Sequence, residues 1–201
     1  MFISDDCIQA PPGAKAPKIS ESDKFQITDL YKSANLTFKI VDLGNACWTN
    51  KHFSEDIQTR QYRAPEVILG SGYDTSADIW SLACMAFELI TGDYLFDPKG
   101  SDEYPRDEDH IALVIELLGD FPHHVLAKSK HFKSFFTKRR TLRHIKALRP
   151  WSLKEVLIQK YSMCVPEANV LSEFLEQMLV LDAKKRCSAH DLLKHKWLFS
   201  D

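Results

Sequence analysis

The chain has 201 residues, 44% hydrophobic and 27% charged, with a formal net charge of −2. That is the composition of an ordinary soluble domain with room for a sizeable core, and it gives no overall field for nucleic acid or membrane. Five scattered cysteines without a Cys-x-x-Cys pair argue against a disulfide framework or structural zinc and for a reducing compartment.

The N-terminus carries Asp5 and Asp6 and lacks a secretory pattern. Residues 1–34, with Pro11, Pro12, Gly13 and Pro17 among small polar residues, are expected to form a flexible tail or the end of a linker. Alternation and β-branching over residues 36–41 predict a short strand, followed by an irregular segment as far as Ala64-Pro65-Glu66. Thr75, Ser76 and Asp78 are candidate caps for an apolar helix that stops at Gly92. Its apolar stretch, residues 79–90, is interrupted by Ser81 and Glu88 and is too short to span a bilayer, so no membrane partner is expected. Residues 107–118 read as an amphipathic helix ended by Gly119 and Pro122. Residues 123–150 are basic and aromatic without a clean period, and 152–161, 167–181 and 188–193 read as three more helices.

Four motifs carry chemistry. Asp42-Leu43-Gly44 follows the predicted strand, where a carboxylate beside a glycine that permits a sharp turn can hold a divalent ion; alone, Asp-x-Gly is also an ordinary turn. The run Thr59-Arg60-Gln61-Tyr62-Arg63 ends in Ala64-Pro65-Glu66, at the separation from Asp42 of a compact kinase activation segment. Asp78-Ile79-Trp80-Ser81 lies on the apolar helix, and Arg186-Cys187-Ser188-Ala189 precedes His195-Lys196-Trp197. Taken singly, Asp78 is a helix cap and Arg186 a surface cation. In this order and spacing the four resemble the signatures of eukaryotic-type serine/threonine protein kinases.

The stretches from Asp42 to Trp48, Glu55 to Arg63, Cys84 to Leu89, Thr91 to Phe96 and Asp107 to His110 narrow the resemblance to the SR-protein kinases, a CMGC-like group, over residues 36–201. Ala64-Pro65 departs from that family by keeping the general kinase form. The resemblance implies a mainly α fold, the C-terminal lobe of a protein kinase, with a short β element at its start. Residues 1–34 would be the end of the family's spacer and 35–201 the lobe, with an activation segment at 42–66 and a helical body at 67–201. It implies that Asp42 ligates magnesium bridging the ATP phosphates, and that Thr59 bonds the catalytic base and lysine. It also implies that Asp78 supports the catalytic loop and that Glu66 and Arg186 form a buried ion pair. The chain contains no Gly-x-Gly-x-x-Gly, no Val-Ala-Ile-Lys-like strand and no His-Arg-Asp-type loop. Magnesium and ATP are therefore expected in the complete kinase but not bound tightly by this chain alone. It would need a kinase N-lobe as its partner and is expected to be inactive by itself.

Charge locates the expected substrate. Residues 93–116 hold eight acids opposed by Lys99 and Arg106, either a solvated face or a groove for arginine-rich peptide. By resemblance the docking groove takes in Asp93, Asp109, Glu116, Trp151 and Lys160, while Arg60, Arg63 and Arg106 form a basic pocket beside the phosphorylation site. The implied function is phosphorylation of Arg/Ser-rich, splicing-factor-type proteins in cytoplasm and nucleus; the alternative is a non-catalytic piece that binds arginine-rich proteins. Thr49 and Ser54 are possible phosphosites, but Glu55 and Asp56 already supply negative charge, so activating phosphorylation is not expected. Residues 128–149 carry nine Lys/Arg and no acid, interleaved with Phe132, Phe135 and Phe136. Inward packing of those rings is favoured over RNA binding.

Overall fold

The computed structural model describes residues 39–199; the tail expected over residues 1–34 lies outside them. The described residues fall into two units, divided between Ala46 and Cys47. In the first, the described backbone is one 3-10 turn, Leu43–Asn45, led by Asp42. The strand expected over 36–41 is corrected where it can be followed: residues 39–41 are irregular, and its first half lies outside the described residues. A strand persists only where a neighbour completes its ladder. Among the described residues the only β pairings are isolated bridges at Trp48–Lys51 and Phe136–Leu142.

The second unit is helical. Helix α1 (Pro65–Leu69) opens on a proline, whose missing N–H needs no partner there, and stops at Gly70 with φ of 61°. A side chain at Gly70 would drive its Cβ to 2.7 Å from the His131 ring. Helix α2 (Ser76–Thr91) ends at Gly92, φ 80°. Its cap differs from expectation: the Thr75 side chain makes no capping bond, and Asp74 Oδ1 instead accepts from the Ser76 N–H at 2.8 Å. Aspartate one position upstream reaches the free first-turn amide that Thr75, itself in helical conformation, cannot.

Helix α3 (Arg106–Leu118) carries Asp107, Glu108 and Asp109 in its first turn, where the helix dipole favours negative charge. The aperiodic basic stretch contains two short helices, α4 (His123–Leu126) and α5 (Phe132–Phe135). Helix α6 (Leu153–Gln159) begins with a complete capping box between Ser152 and Glu155. Helices α7 (Val165–Met178) and α8 (Ala189–Leu192) follow, and α7 ends earlier than its apolar pattern suggests because Leu179 and Leu181 continue the core from an irregular segment.

Helix α7 packs against α2 and α6, and α1 packs against α3. The core comprises Trp80 and Phe87 from α2, Ile111 from α3, Leu157 from α6, and Leu175 and Met178 from α7, all at most 2% exposed. Each such side chain contributes about 1.5–3 kcal/mol of burial. Trp80 stacks on Phe96 at 5.7 Å between ring centroids, which ties α2 to the segment leading into α3. No helix among the described residues is long and apolar enough to cross a membrane.

Candidate functional site

Asp42 is exposed and holds a left-handed backbone, φ 62° and ψ 57°. Aspartate is among the few residues that visit this region, and residues held there cluster at functional sites. The turn closes with the Ala46 N–H donating to the Leu43 carbonyl at 3.0 Å. One carboxylate is a fitting partial ligand for magnesium, which keeps waters and takes its other oxygens from phosphates. No cluster of three or more His, Cys, Asp or Glu among the described residues could hold a metal ion by itself.

In the second unit, Gln58 fastens the segment before α1. Its Nε2 donates to the Ala77 carbonyl and to Ser81 Oγ, each at 2.8 Å, and its Oε1 accepts from the Ala64 N–H at 2.8 Å. Ser81 in turn donates to the Tyr62 carbonyl at 2.8 Å. This bracket holds the 3-10 turn Arg60–Tyr62 against α2, with exposed Thr59 at its head and no side-chain capping bond there. Sequence reading missed Gln58, since a single amide joining three backbone segments leaves no periodic trace.

The three arginines expected in a basic pocket are each held. Arg60 pairs with Asp107. Arg63 pairs with Asp56 at 2.6 Å and donates to the Gln58 carbonyl at 2.9 Å, while burial pulls its pKa down. Arg106 donates to the Pro98 carbonyl at 2.8 Å. All three act on buried His110, whose pKa is pushed down to about 3 by burial first and then by the guanidinium charges. Neither His110 ring nitrogen has a hydrogen-bond partner among the described residues.

The five residues expected in a docking groove are each bonded to a neighbouring segment. Asp93 Oδ2 accepts from Lys160 Nζ at 2.9 Å and from the Tyr161 hydroxyl at 2.8 Å, and these bonds hold the Asp93 carboxyl below its ordinary range. Asp109 Oδ2 accepts from the Lys99 N–H at 2.8 Å and the Gly100 N–H at 3.5 Å. Glu116 Oε1 accepts from the Arg149 N–H at 2.8 Å, and its carbonyl accepts from the Trp151 N–H at 2.9 Å. Trp151 is 39% exposed, and its indole N–H donates to Gln159 at 3.0 Å, beside Lys160. Each acid thus uses one oxygen to fix a neighbouring segment. The other oxygen of Asp93, Asp109 and Glu116 has no hydrogen bond among the described residues.

Glu66 and Arg186 behave differently. Both are buried, joined by two bonds of 2.7 and 3.0 Å. The rest of the guanidinium donates to the Val180 and Ser76 carbonyls and lies 5.2 Å from the centre of the Trp80 ring. Asp78 is exposed in the first turn of α2 and has no side-chain partner among the described residues. A buried carboxylate not singled out in the sequence, Glu108, accepts from the His144 N–H at 2.7 Å, His144 Nδ1 at 2.6 Å and the Ile145 N–H at 3.3 Å. Burial raises its pKa, but those hydrogen bonds bring it below the ordinary glutamate value. It anchors the end of the basic stretch to α3.

Residues 29–198 match the family described as protein kinase domain. Serine/threonine-protein kinase spk-1 of Caenorhabditis elegans is 51% identical over 199 residues, covering 98% of this chain and 19% of that protein. SRSF protein kinase 3 of Homo sapiens is 54% identical over 163 residues, 81% of this chain and 29% of that protein. Serine/threonine-protein kinase SKY1 of Saccharomyces cerevisiae is 49% identical over 172 residues, 85% of this chain and 23% of that protein. The chain spans less than a third of the length of these curated relatives.

Proposed function

Because this chain belongs to the protein kinase family, in its SR-protein kinase branch, we propose that it supplies the substrate-reading lobe for transfer of phosphate from ATP to serines of Arg/Ser-rich proteins. The observation that carries this reading is the set of half-engaged carboxylates at Asp93, Asp109 and Glu116. A carboxylate with one oxygen fixed is pre-positioned and still offers an acceptor, which is what a guanidinium needs for a strong charge-assisted bond. Trp151 adds an exposed ring face on which arginine can stack. Arg60, Arg63 and Arg106 receive a phosphate already installed, exchanging their present acid and carbonyl partners for phosphate oxygens.

Magnesium, when bound with ATP in the complete kinase, neutralises charge on the transferring phosphoryl group. Asp42 is this chain's ligand for it, Thr59 orients the catalytic groups, and Asp78 offers its free carboxylate to the catalytic loop. The exposed carboxylates Glu55 and Asp56 already carry negative charge in the segment that holds Thr49 and Ser54, which supports activity without phosphorylation of either. The test is binding of a fluorescent Arg-Ser peptide to the full-length protein, wild type against Asp109→Asn/Glu116→Gln, together with phosphate incorporation from labelled ATP. Unchanged affinity in the double variant would refute the groove. Peptide binding without any incorporation would favour the non-catalytic arginine-binding reading.

A further inference from the structure

The proposed function leaves the basic stretch unused, and there the chain builds a cleft of about 790 Å³. Lys130, Lys133, Lys138, Arg139 and Arg140 line it, and no acid does. Lys130 reaches Glu55 at 3.4 Å; the other four have no carboxylate partner among the described residues.

The cations are placed by a built turn. Thr137 and Thr141 join through backbone, at 2.8 Å, and through their hydroxyls, also at 2.8 Å. The Thr137 hydroxyl accepts from the Arg139 N–H at 3.2 Å, and its carbonyl accepts from the Arg140 N–H at 2.9 Å. Arg140 is thereby held at φ 64°, a conformation that an arginine adopts only when its surroundings insist. Beneath, Arg143 donates to the Lys133 carbonyl at 3.1 Å. Four unpaired cations gathered in one concavity repel one another until an anion enters.

The aromatic rings decide which anion. Phe132 stacks on Phe136 at 5.6 Å, Phe136 meets Phe121 at 6.3 Å, and Phe135 and Phe136 are only 6% and 2% exposed. Of the three phenylalanines only half-buried Phe132, already stacked on Phe136, lines the cleft, which therefore sets five cations against one phenyl ring instead of the exposed stacking platform that single-stranded nucleic acid uses. Adjacent guanidinium forks favour phosphate over an isolated carboxylate.

We propose that this cleft binds the phosphoserine-bearing segment of an Arg/Ser-rich substrate after phosphoryl transfer, an inference that rests on the substrate class proposed above. Each phosphorylation adds about −1.5 to −2 charges, so an Arg-Ser segment changes from cation to net anion. Once reversed in charge, the segment is repelled by the groove of Asp109 and Glu116 and attracted by the cleft.

The experiment measures fluorescence anisotropy on the full-length protein with three probes: an Arg-Ser octapeptide, its phosphorylated form, and a single-stranded oligoribonucleotide of matched charge. Lys138→Ala/Arg139→Ala/Arg140→Asn removes three of the five lining cations while keeping at position 140 a residue that tolerates positive φ. Phosphopeptide affinity should fall about tenfold or more, with unphosphorylated-peptide affinity staying within about twofold. Unchanged phosphopeptide affinity overturns the proposal, as does an oligoribonucleotide that binds more tightly than the phosphopeptide and is lost in the variant. If the triple variant melts early, Lys133→Gln, outside the turn, decides by the same readout. Failure of the groove itself reads separately, as unphosphorylated-peptide binding indifferent to Asp109→Asn/Glu116→Gln.

Discussion

Carboxylates do opposite work in two regions of this molecule. At the Glu66–Arg186 junction both oxygens are taken, both residues are buried, and the guanidinium spends its remaining donors on backbone carbonyls. At the acidic wall, Asp93, Asp109 and Glu116 each commit one oxygen and leave the other without a bond among the described residues. The first arrangement is saturated and can only hold structure. The second holds structure with half of each group and keeps the rest for a ligand. Counting acids does not separate the two; counting free lone pairs does.

The largest expected effect tests the saturated junction. Arg186→Ala leaves Glu66 charged and buried without its partner, and should lower unfolding free energy by about 3–5 kcal/mol in urea titration. A loss under about 1 kcal/mol would mean that the junction is not what holds α1 to the segment after α7. Next is the half-engaged wall. Asp109→Ala should cost about 0.5–1.5 kcal/mol by removing the acceptor of the Lys99 and Gly100 N–H groups. Asp109→Asn keeps an acceptor oxygen and should leave the melting temperature nearly unchanged while weakening Arg-Ser peptide binding. Parallel losses in both variants would erase the distinction drawn between the two regions.

A smaller effect concerns acid. The His110 pKa is lowered by folding to about 3 from an ordinary value of about 6.5. Below pH 6.5 the unfolded chain therefore binds a proton that the folded chain refuses. Its contribution to stability is full above pH 6.5 and falls by about 1.4 kcal/mol per pH unit as pH drops toward 3. His110→Leu should flatten this slope in pH-dependent denaturation, with little change at pH 8 because no hydrogen bond of the ring is lost. The smallest effect is expected at the exposed Asp93–Lys160 pair, where Asp93→Ala should leave the melting temperature within error and register only in peptide affinity.

What was legible in the sequence follows from the range of each signal. Helices α2 and α3 announce themselves by period and glycine stops, and Asp109 and Glu116 by their seven-residue spacing on one face. The Ser152–Glu155 capping box is equally local. The resemblance, rather than any period, pointed to pairing of Glu66 with Arg186. Contacts that join distant side chains to backbone were invisible: Gln58 to Ala77, Glu108 to His144, and Glu116 to Arg149. Buried His110 was hidden for another reason, because it sits on the same turn as three acids and looks solvated until Phe96 is seen against it. The strand expected over 36–41 failed in its described half because alternation reports a propensity, whereas a ladder needs a second chain segment.

The Glu66–Arg186 pair also has a consequence for time. It joins residues 120 positions apart. Closing a loop of that length costs about 4 kcal/mol of chain entropy before the two charges can meet. A contact so remote in sequence forms after the local helices and adds little to the barrier for folding. Arg186→Lys should then speed unfolding in stopped-flow denaturant jumps while leaving the folding arm nearly where it was. The clasp would act mainly as a brake on coming apart.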